Sequence, residues 1–407
     1  MKQNYKTHIF YGYWVVAACF AIQGIGIGTL ISFGVFYKPM ISEFGWTRAS
    51  LSGASSIAFL LLGAFGICVG RLNDRFGPRV IMIVSGGLLG VGYSLMSQVQ
   101  TLWQVYLFFG VITGIGLSTI DIIALSTTAR WFVAKRGTMT GFVKVGTGAG
   151  QMTIPLAASL FITTYGWRTT YFCYGIFVPA ALIAASLLLR RDPGQMGLLP
   201  DGTAQTPDNE IDPDQGLTPA QAMRTLQFWA LCLINMLMLS CLLTTMLHIV
   251  PHAIDIGLPA IKAAGALSMM GGVSMLGRFV TGMAIDRIGN KKSMIICFLI
   301  MIGSFLWVLM ARELWMLYLF AAVYGLAHGG LFTVISPMVA EFFGIGSHGA
   351  LFGLVAFCGT IGAALGPFLA GHIFDVTSSY QLVFILLTGV AAVALILTTF
   401  LKPAFVS

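Results

Sequence analysis

Long apolar runs dominate this chain, and short polar stretches punctuate them. A membrane-crossing helix needs roughly 20 mostly apolar residues. The pattern predicts twelve such spans, at about 12–36, 50–70, 79–97, 103–128, 138–163, 168–189, 225–249, 263–284, 293–311, 314–339, 349–373 and 380–401. Strands of a membrane barrel would be about 10 residues long and would alternate polar with apolar, and these runs do neither. The expected fold class is an all-α polytopic membrane protein. The first span follows a charged N-terminus, but it is too long for the apolar core of a signal peptide and shows no cleavage site, so it is read as retained.

One stretch breaks the pattern. RRDPGQMGLLPDGTAQTPDNEIDPDQGLTPAQAMR, from Arg190 to Arg224, is rich in Pro, Gly and Asp and can build no core. It reads as a linker, with a short helix capped by Thr218 and opened by Pro219. The expected organisation is a six-span bundle over 1–190, a cytoplasmic linker over 191–224 and a second six-span bundle over 225–407.

Composition and charge refine this. Only 9% of the 407 residues are charged, against about 25% in a soluble domain, so the chain cannot coat itself for water. Lys and Arg set the orientation. With the N-terminus inside, fifteen of the 22 fall on the cytoplasmic side, five outside, and two, Lys144 and Arg278, within spans. The +8 net charge is thus topology rather than a nucleic-acid surface. The expected location is the cell (inner) membrane, with both termini cytoplasmic. The seven cysteines lie in apolar spans without metal-ligand spacing. No metal, cofactor, nucleophile–base pair or enzymatic cluster is expected.

Two charged stretches match each other. GRLNDRFGPR follows span two and GMAIDRIGNKK follows span eight, with Asp74 and Asp286 separated by 212 residues. Gly70, Asp74, Arg75 and Gly77 form the first clasp; Asp286, Arg287 and Gly289 belong to the second. Gly77 and Gly289 are expected in tight turns at positive φ. Asp74 and Asp286 are expected to pair with Arg or to cap a neighbouring helix. Repetition at one point of each half marks an internal six-span repeat.

Charged groups inside spans are costly and mark function or pairing. Arg278 lies eight residues before Asp286, roughly 12 Å into the span. It reads as an anion ligand or as half of a structural ion pair. Asp121 is the only deeply embedded acid and reads as a proton carrier or as a permanent partner of a cation. Lys144 is that candidate cation. If it is left unpaired, it becomes a second anion ligand. Gln151, seven residues on along the same face, is a candidate substrate contact. His248 ends span seven near the outer side, unless the helix breaks early at Pro251. It can bind an anion or carry a proton. His328 and Gln23 fit packing and site roles equally. GTGAGQ at Gly146 lacks the strand and the Lys-Ser/Thr of a phosphate loop.

The doubled clasp resembles the loop motif of the major facilitator superfamily, and the likeness covers the chain: twelve spans in two halves around a central linker. YGYWVVAACF at Tyr11, WFVAKRGTMTG at Trp131, YGWRTTYF at Tyr165, RRDPGQMGLLPDG at Arg190, and FWAL with HIVPHAIDIG in span seven resemble the monocarboxylate transporters and their bacterial oxalate/formate-antiporter relatives. The resemblance implies two pseudo-symmetric bundles around a cavity, an Arg278 that binds substrate, a substrate role for His248 and a cavity-wall role for Phe357. Two features depart from the animal members. Span one carries no charge between Gly12 and Lys38, and Ser274 stands where those members have an Asp. A coupled proton would then ride on Asp121 or His248.

The function expected is alternating-access transport of a small monocarboxylate such as lactate or pyruvate, coupled to a proton, by a monomer in the lipid bilayer. The rival is an oxalate/formate-type exchanger using Arg278 and Lys144 together. A drug or cation antiporter would leave Arg278 facing a like charge. A carboxylate sensor would need more than the short linker as a signalling domain.

Overall fold

The computed structural model of the protein describes residues 10–202 and 216–402, apart from the side chains of residues 48, 49, 260, 261 and 264. Lys2, Lys6, both termini and linker residues 203–215, to which the sequence assigns a cytoplasmic place, lie outside the described residues. Among the described residues twelve long helices follow one another: α1 (Gly12–Phe44), α2 (Arg48–Phe76), α3 (Pro78–Met96), α4 (Leu102–Trp131), α5 (Arg136–Tyr165), α6 (Trp167–Leu187), α7 (Leu226–Asp255), α8 (Ala260–Ile288), α9 (Asn290–Val308), α10 (Leu314–Phe343), α11 (His348–Thr377) and α12 (Gln381–Phe400). Eleven of them are long and apolar enough to cross a membrane; α8, which carries Arg278, Asp286 and Arg287, is the twelfth by length. Between α6 and α7 lies a polar connection whose short helix, Pro219–Ala222, is capped by Thr218 as the sequence predicts, with the Gln221 side chain completing the cap.

Two helices are not uniform. α1 tightens to a 3₁₀ turn at Phe33–Phe36. α4 runs through a π-helical stretch, Tyr106–Thr113, and breaks again at Ser118, three residues before Asp121. Such stretches shift the register of the residues that follow and are frequent at functional sites. Pro251 does not end α7, which continues to Asp255.

The clasps are not loops, contrary to the span limits that the apolar pattern predicts. α2 continues to Phe76 and α8 to Ile288. A helix need not stop where its apolar run stops, because an exposed polar end is solvated and keeps its intrahelical bonds. The stop is set by Gly77 and Gly289, with φ of 83° and 86° and extended ψ, a combination open only to glycine.

Small residues bring the helices together. Within the first half α1 packs on α5, and a Cβ on Gly150 would fall 1.9 Å from the Gly24 carbonyl oxygen. Between halves, α5 packs on α8 and α2 on α11. A Cβ on Gly70 would lie 2.2 Å from the Gly349 oxygen, and one on Gly282 2.5 Å from the Gly137 oxygen. The two contacts are related by the sequence repeat, and each carries an aspartate. Asp74 accepts from the backbone N–H of Gly349 (3.3 Å) and Ala350 (3.0 Å) at the start of α11. Asp286 accepts from those of Gly137 (2.6 Å) and Thr138 (2.8 Å) at the start of α5. Each carboxylate therefore caps a helix of the other half, where the helix dipole favours negative charge.

The ion pair of the first clasp is made by Arg130 of α4, 3.1 Å from Asp74, which also donates to the Gly346 carbonyl at 3.0 Å. Arg75 is exposed and lies over the Phe76 ring, and Arg287 is exposed. The clasps hold the two halves together at this end of the molecule. Asp74→Asn and Asp286→Asn should each weaken a charge-assisted cap by about 1–2 kcal/mol. In the double variant the losses should add, because the sites share no group. Maleimide labelling of a cysteine placed at Thr140, buried and two residues past the Thr138 N–H that Asp286 accepts from, should rise in each variant and most in the double. Unchanged labelling would show that the caps do not hold this end shut.

Candidate functional site

Asp121, near the start of the last segment of α4, points between α1 and α5. Lys144 Nζ of α5 donates to its Oδ1 at 2.6 Å. Gln23 Nε2 of α1 donates to the same oxygen, also at 2.6 Å, and Thr147 Oγ1 of α5 donates to Gln23 Oε1 at 2.7 Å. This chain of contacts fixes the Gln23 amide, since only its Nε2 end can face a carboxylate. Oδ2 of Asp121 makes no hydrogen bond among the described residues. The Asp121 side chain keeps 39% exposure while that of Lys144 keeps 7%, so the acid faces open space and the cation sits behind it.

That space is a cavity of about 110 Å³ between the two halves. Asp121, Ser118 and Ile122 of α4, Lys144 of α5, and Leu62 and Gly66 of α2 line it on one side. Asn235 and Met238 of α7, Phe332 of α10, and Phe352 and Thr360 of α11 line it on the other. Its walls are mostly apolar, with few polar groups, as in small-ligand sites, though it is smaller than the roughly 300–1,000 Å³ of drug-sized clefts.

Arg278 stands one layer behind the wall. It is 5% exposed, its Nη1 donates to the Lys144 carbonyl at 2.7 Å, and its guanidinium lies 5.8 Å from the centre of the Phe332 ring. Its Nε is buried without a hydrogen-bond partner among the described residues, an unmet donor on a permanently charged group. Ser274, one turn earlier on α8, bonds His328 Nδ1 of α10 at 2.9 Å. The position where the resemblance calls for an acid is thus occupied by a neutral contact to histidine.

The structure therefore gathers Asp121, Lys144 and Arg278, and adds Gln23 and Thr147. Other expected contacts lie apart. His248 sits toward the far end of α7, with Nδ1 3.1 Å from the Tyr380 hydroxyl and Nε2 3.1 Å from the Pro367 carbonyl. Both ring nitrogens are engaged, and His248 does not line the cavity. Gln151 is half-buried and Phe357 is half-buried on α11, and neither is among the residues lining this cavity. Sequence reasoning passed over Asn235, Thr360 and Ser118. Asn235 did carry a signal, as an amide deep within an apolar span; serine and threonine, common in helices, carried none.

Two bundles of six helices related by an internal repeat, closed on each other at one end and enclosing a charged cavity between them, define a secondary-carrier scaffold. The chain belongs to the Major Facilitator Superfamily, which it matches over residues 14–285 and 266–406. It is 26% identical to monocarboxylate transporter 4 of Mus musculus, covering 92% of this chain and 80% of that one. It is 24% identical to the uncharacterized MFS-type transporter YhjX of Escherichia coli K12, covering 84% and 83%. In fold it is similar to the human organic anion transporter MFSD10 (TETRAN), with a TM-score of 0.74 at 14% identity over 95% of this chain and 99% of that one. The proteins it matches are membrane transporters, not enzymes.

Proposed function

We propose that this chain carries a small monocarboxylate such as lactate or pyruvate across the membrane together with a proton, as a monomer whose clasp end and termini face the cytoplasm. The observation that carries the reading is the Asp121–Lys144 pair at the cavity wall, with Oδ2 of Asp121 unengaged. With Asp121 ionised, Lys144 is neutralised by it, and Arg278 is the one uncompensated positive charge of the three. A proton on Oδ2 removes the acid's charge and releases Lys144. Two cations then share the cavity region, and a carboxylate is drawn in. Proton and anion thus strengthen each other's binding, as linkage requires.

The contacts also favour a monoanion. A dicarboxylate would depend on both cations leaving their present partners, Lys144 from Asp121 and Arg278 from the Lys144 carbonyl, whereas a monocarboxylate needs only one of them. Sequence kinship with monocarboxylate transporter 4 of the mouse supports the same substrate class. Exchange of anions, with Lys144 permanently in the site, is less well supported, because Lys144 is 2.6 Å from Asp121 and only 7% exposed.

The test is uptake of labelled lactate into proteoliposomes with and without an imposed inward proton gradient. Gradient-driven accumulation is expected. Uptake that ignores the gradient and requires preloading with unlabelled anion would overturn symport in favour of exchange.

A further inference from the structure

Three polar residues of the cavity wall have already committed hydrogens to the backbone. Ser118 Oγ donates to the Ile115 carbonyl at 2.6 Å, and Thr360 Oγ1 to the Phe357 carbonyl at 2.7 Å. A hydroxyl has one hydrogen and two lone pairs, so each now offers acceptance alone. Asn235 Nδ2 donates to the Val355 carbonyl at 2.8 Å. Only the nitrogen end of an amide can meet a carbonyl, so its orientation is fixed. Nδ2 is also packed on Gly359, where a Cβ would fall 2.4 Å from it. Oδ1 of Asn235 is left without a hydrogen bond among the described residues. Lys144 is the one cation among the described residues that line this wall, and most of the remainder is apolar, as at Leu62, Ile122, Met238 and Phe352.

The cavity thus offers a cation for a carboxylate, with one acceptor, Ser118, on the same side and two, Asn235 and Thr360, on the other. We infer that it selects a carboxylate carrying a hydrogen-bond donor beside its head, a 2-hydroxycarboxylate, over the 2-oxo and unsubstituted analogues. This rests on the monocarboxylate reading of the same site. The 2-hydroxyl donates to one of the acceptors while the carboxylate meets Lys144. A 2-oxo group brings only lone pairs, which the two hydroxyls and Asn235 Oδ1 cannot meet, and an alkyl chain leaves those acceptors unmet. Sites that hydrogen-bond a substrate hydroxyl reject analogues lacking it, whereas apolar pockets discriminate weakly.

The experiment is competition against labelled lactate uptake in proteoliposomes of the full chain, with unlabelled lactate, glycolate, pyruvate and propionate. The two hydroxy acids should half-inhibit at concentrations about tenfold lower than pyruvate and propionate, as for one net hydrogen bond. Asn235→Leu and Thr360→Val each remove an acceptor while keeping the branching of the side chain and should narrow that ratio. Pyruvate or propionate competing as well as lactate overturns the selectivity and leaves the monocarboxylate reading standing. A ratio unchanged in both variants overturns the assignment to these acceptors. No saturable lactate uptake by the wild type overturns both readings. The wild-type series decides the selectivity even where a variant fails to fold.

Discussion

Asp121→Asn should abolish lactate uptake driven by a proton gradient and leave exchange of lactate across preloaded vesicles. The substitution is isosteric and imitates the protonated acid. Its amide oxygen can still accept from Gln23 Nε2, which now bonds Oδ1 at 2.6 Å, so α1 and α4 stay in register. What is lost is the cycle of charge. Lys144 has no anion to return to when the cavity empties, and an unpaired ammonium within the membrane is costly. The carrier can then reorient readily only with an anion aboard, which is exchange. Net gradient-driven uptake should fall by at least about a hundredfold, the lower end of what a positioned proton-transfer group supplies. Equal loss of uptake and exchange would instead make Asp121 a structural partner of Lys144.

The second large effect is expected at Arg278. Arg278→Lys keeps the charge but replaces a planar fork with a point donor, which matches a carboxylate less well. Hydrogen bonds to charged groups contribute about 1.5–3 kcal/mol, so the KM for lactate should rise roughly 10- to 150-fold. The pH dependence of uptake should keep its form, because Asp121 and Lys144 remain. Lys144→Met should behave differently. It leaves the Asp121 carboxylate with only Gln23 beside it, and gradient coupling should be lost along with affinity. If Arg278→Lys leaves the KM unaltered, the arginine serves the α5–α8 contact through the Lys144 carbonyl, 2.7 Å from Nη1, and the anion is held elsewhere.

The candidate site is partly legible in the linear chain. Asp121, Lys144 and Arg278 announce themselves because charge is rare and expensive in apolar spans. Gln23 is visible as an amide in span one, but nothing local gives it a side. It meets Asp121 across 98 residues of chain, and that meeting depends on the rotation of two helices about their axes. The same limit explains His248. Its chemistry suits a site, but α7 runs on to Asp255, and the ring ends against Tyr380 and Pro367. Arg130 rather than Arg75 pairs with Asp74 because the partner comes from α4, 56 residues on, and not from the clasp itself.

By itself the sequence determined the helical class, the twelve segments, the six-plus-six repeat and the glycine turns at Gly77 and Gly289. These follow from local properties: the length of an apolar run against the thickness of a bilayer, and the backbone freedom of single residues. Only the tertiary structure decided that Lys144 belongs to Asp121, that Arg278 stands behind Phe332, that each clasp aspartate caps a helix of the opposite half, and that the cavity's hydroxyls and amide are turned as acceptors. Those are properties of helix faces brought within 3 Å or so from distant parts of the chain, and a linear pattern records which groups exist without recording which way each face is turned.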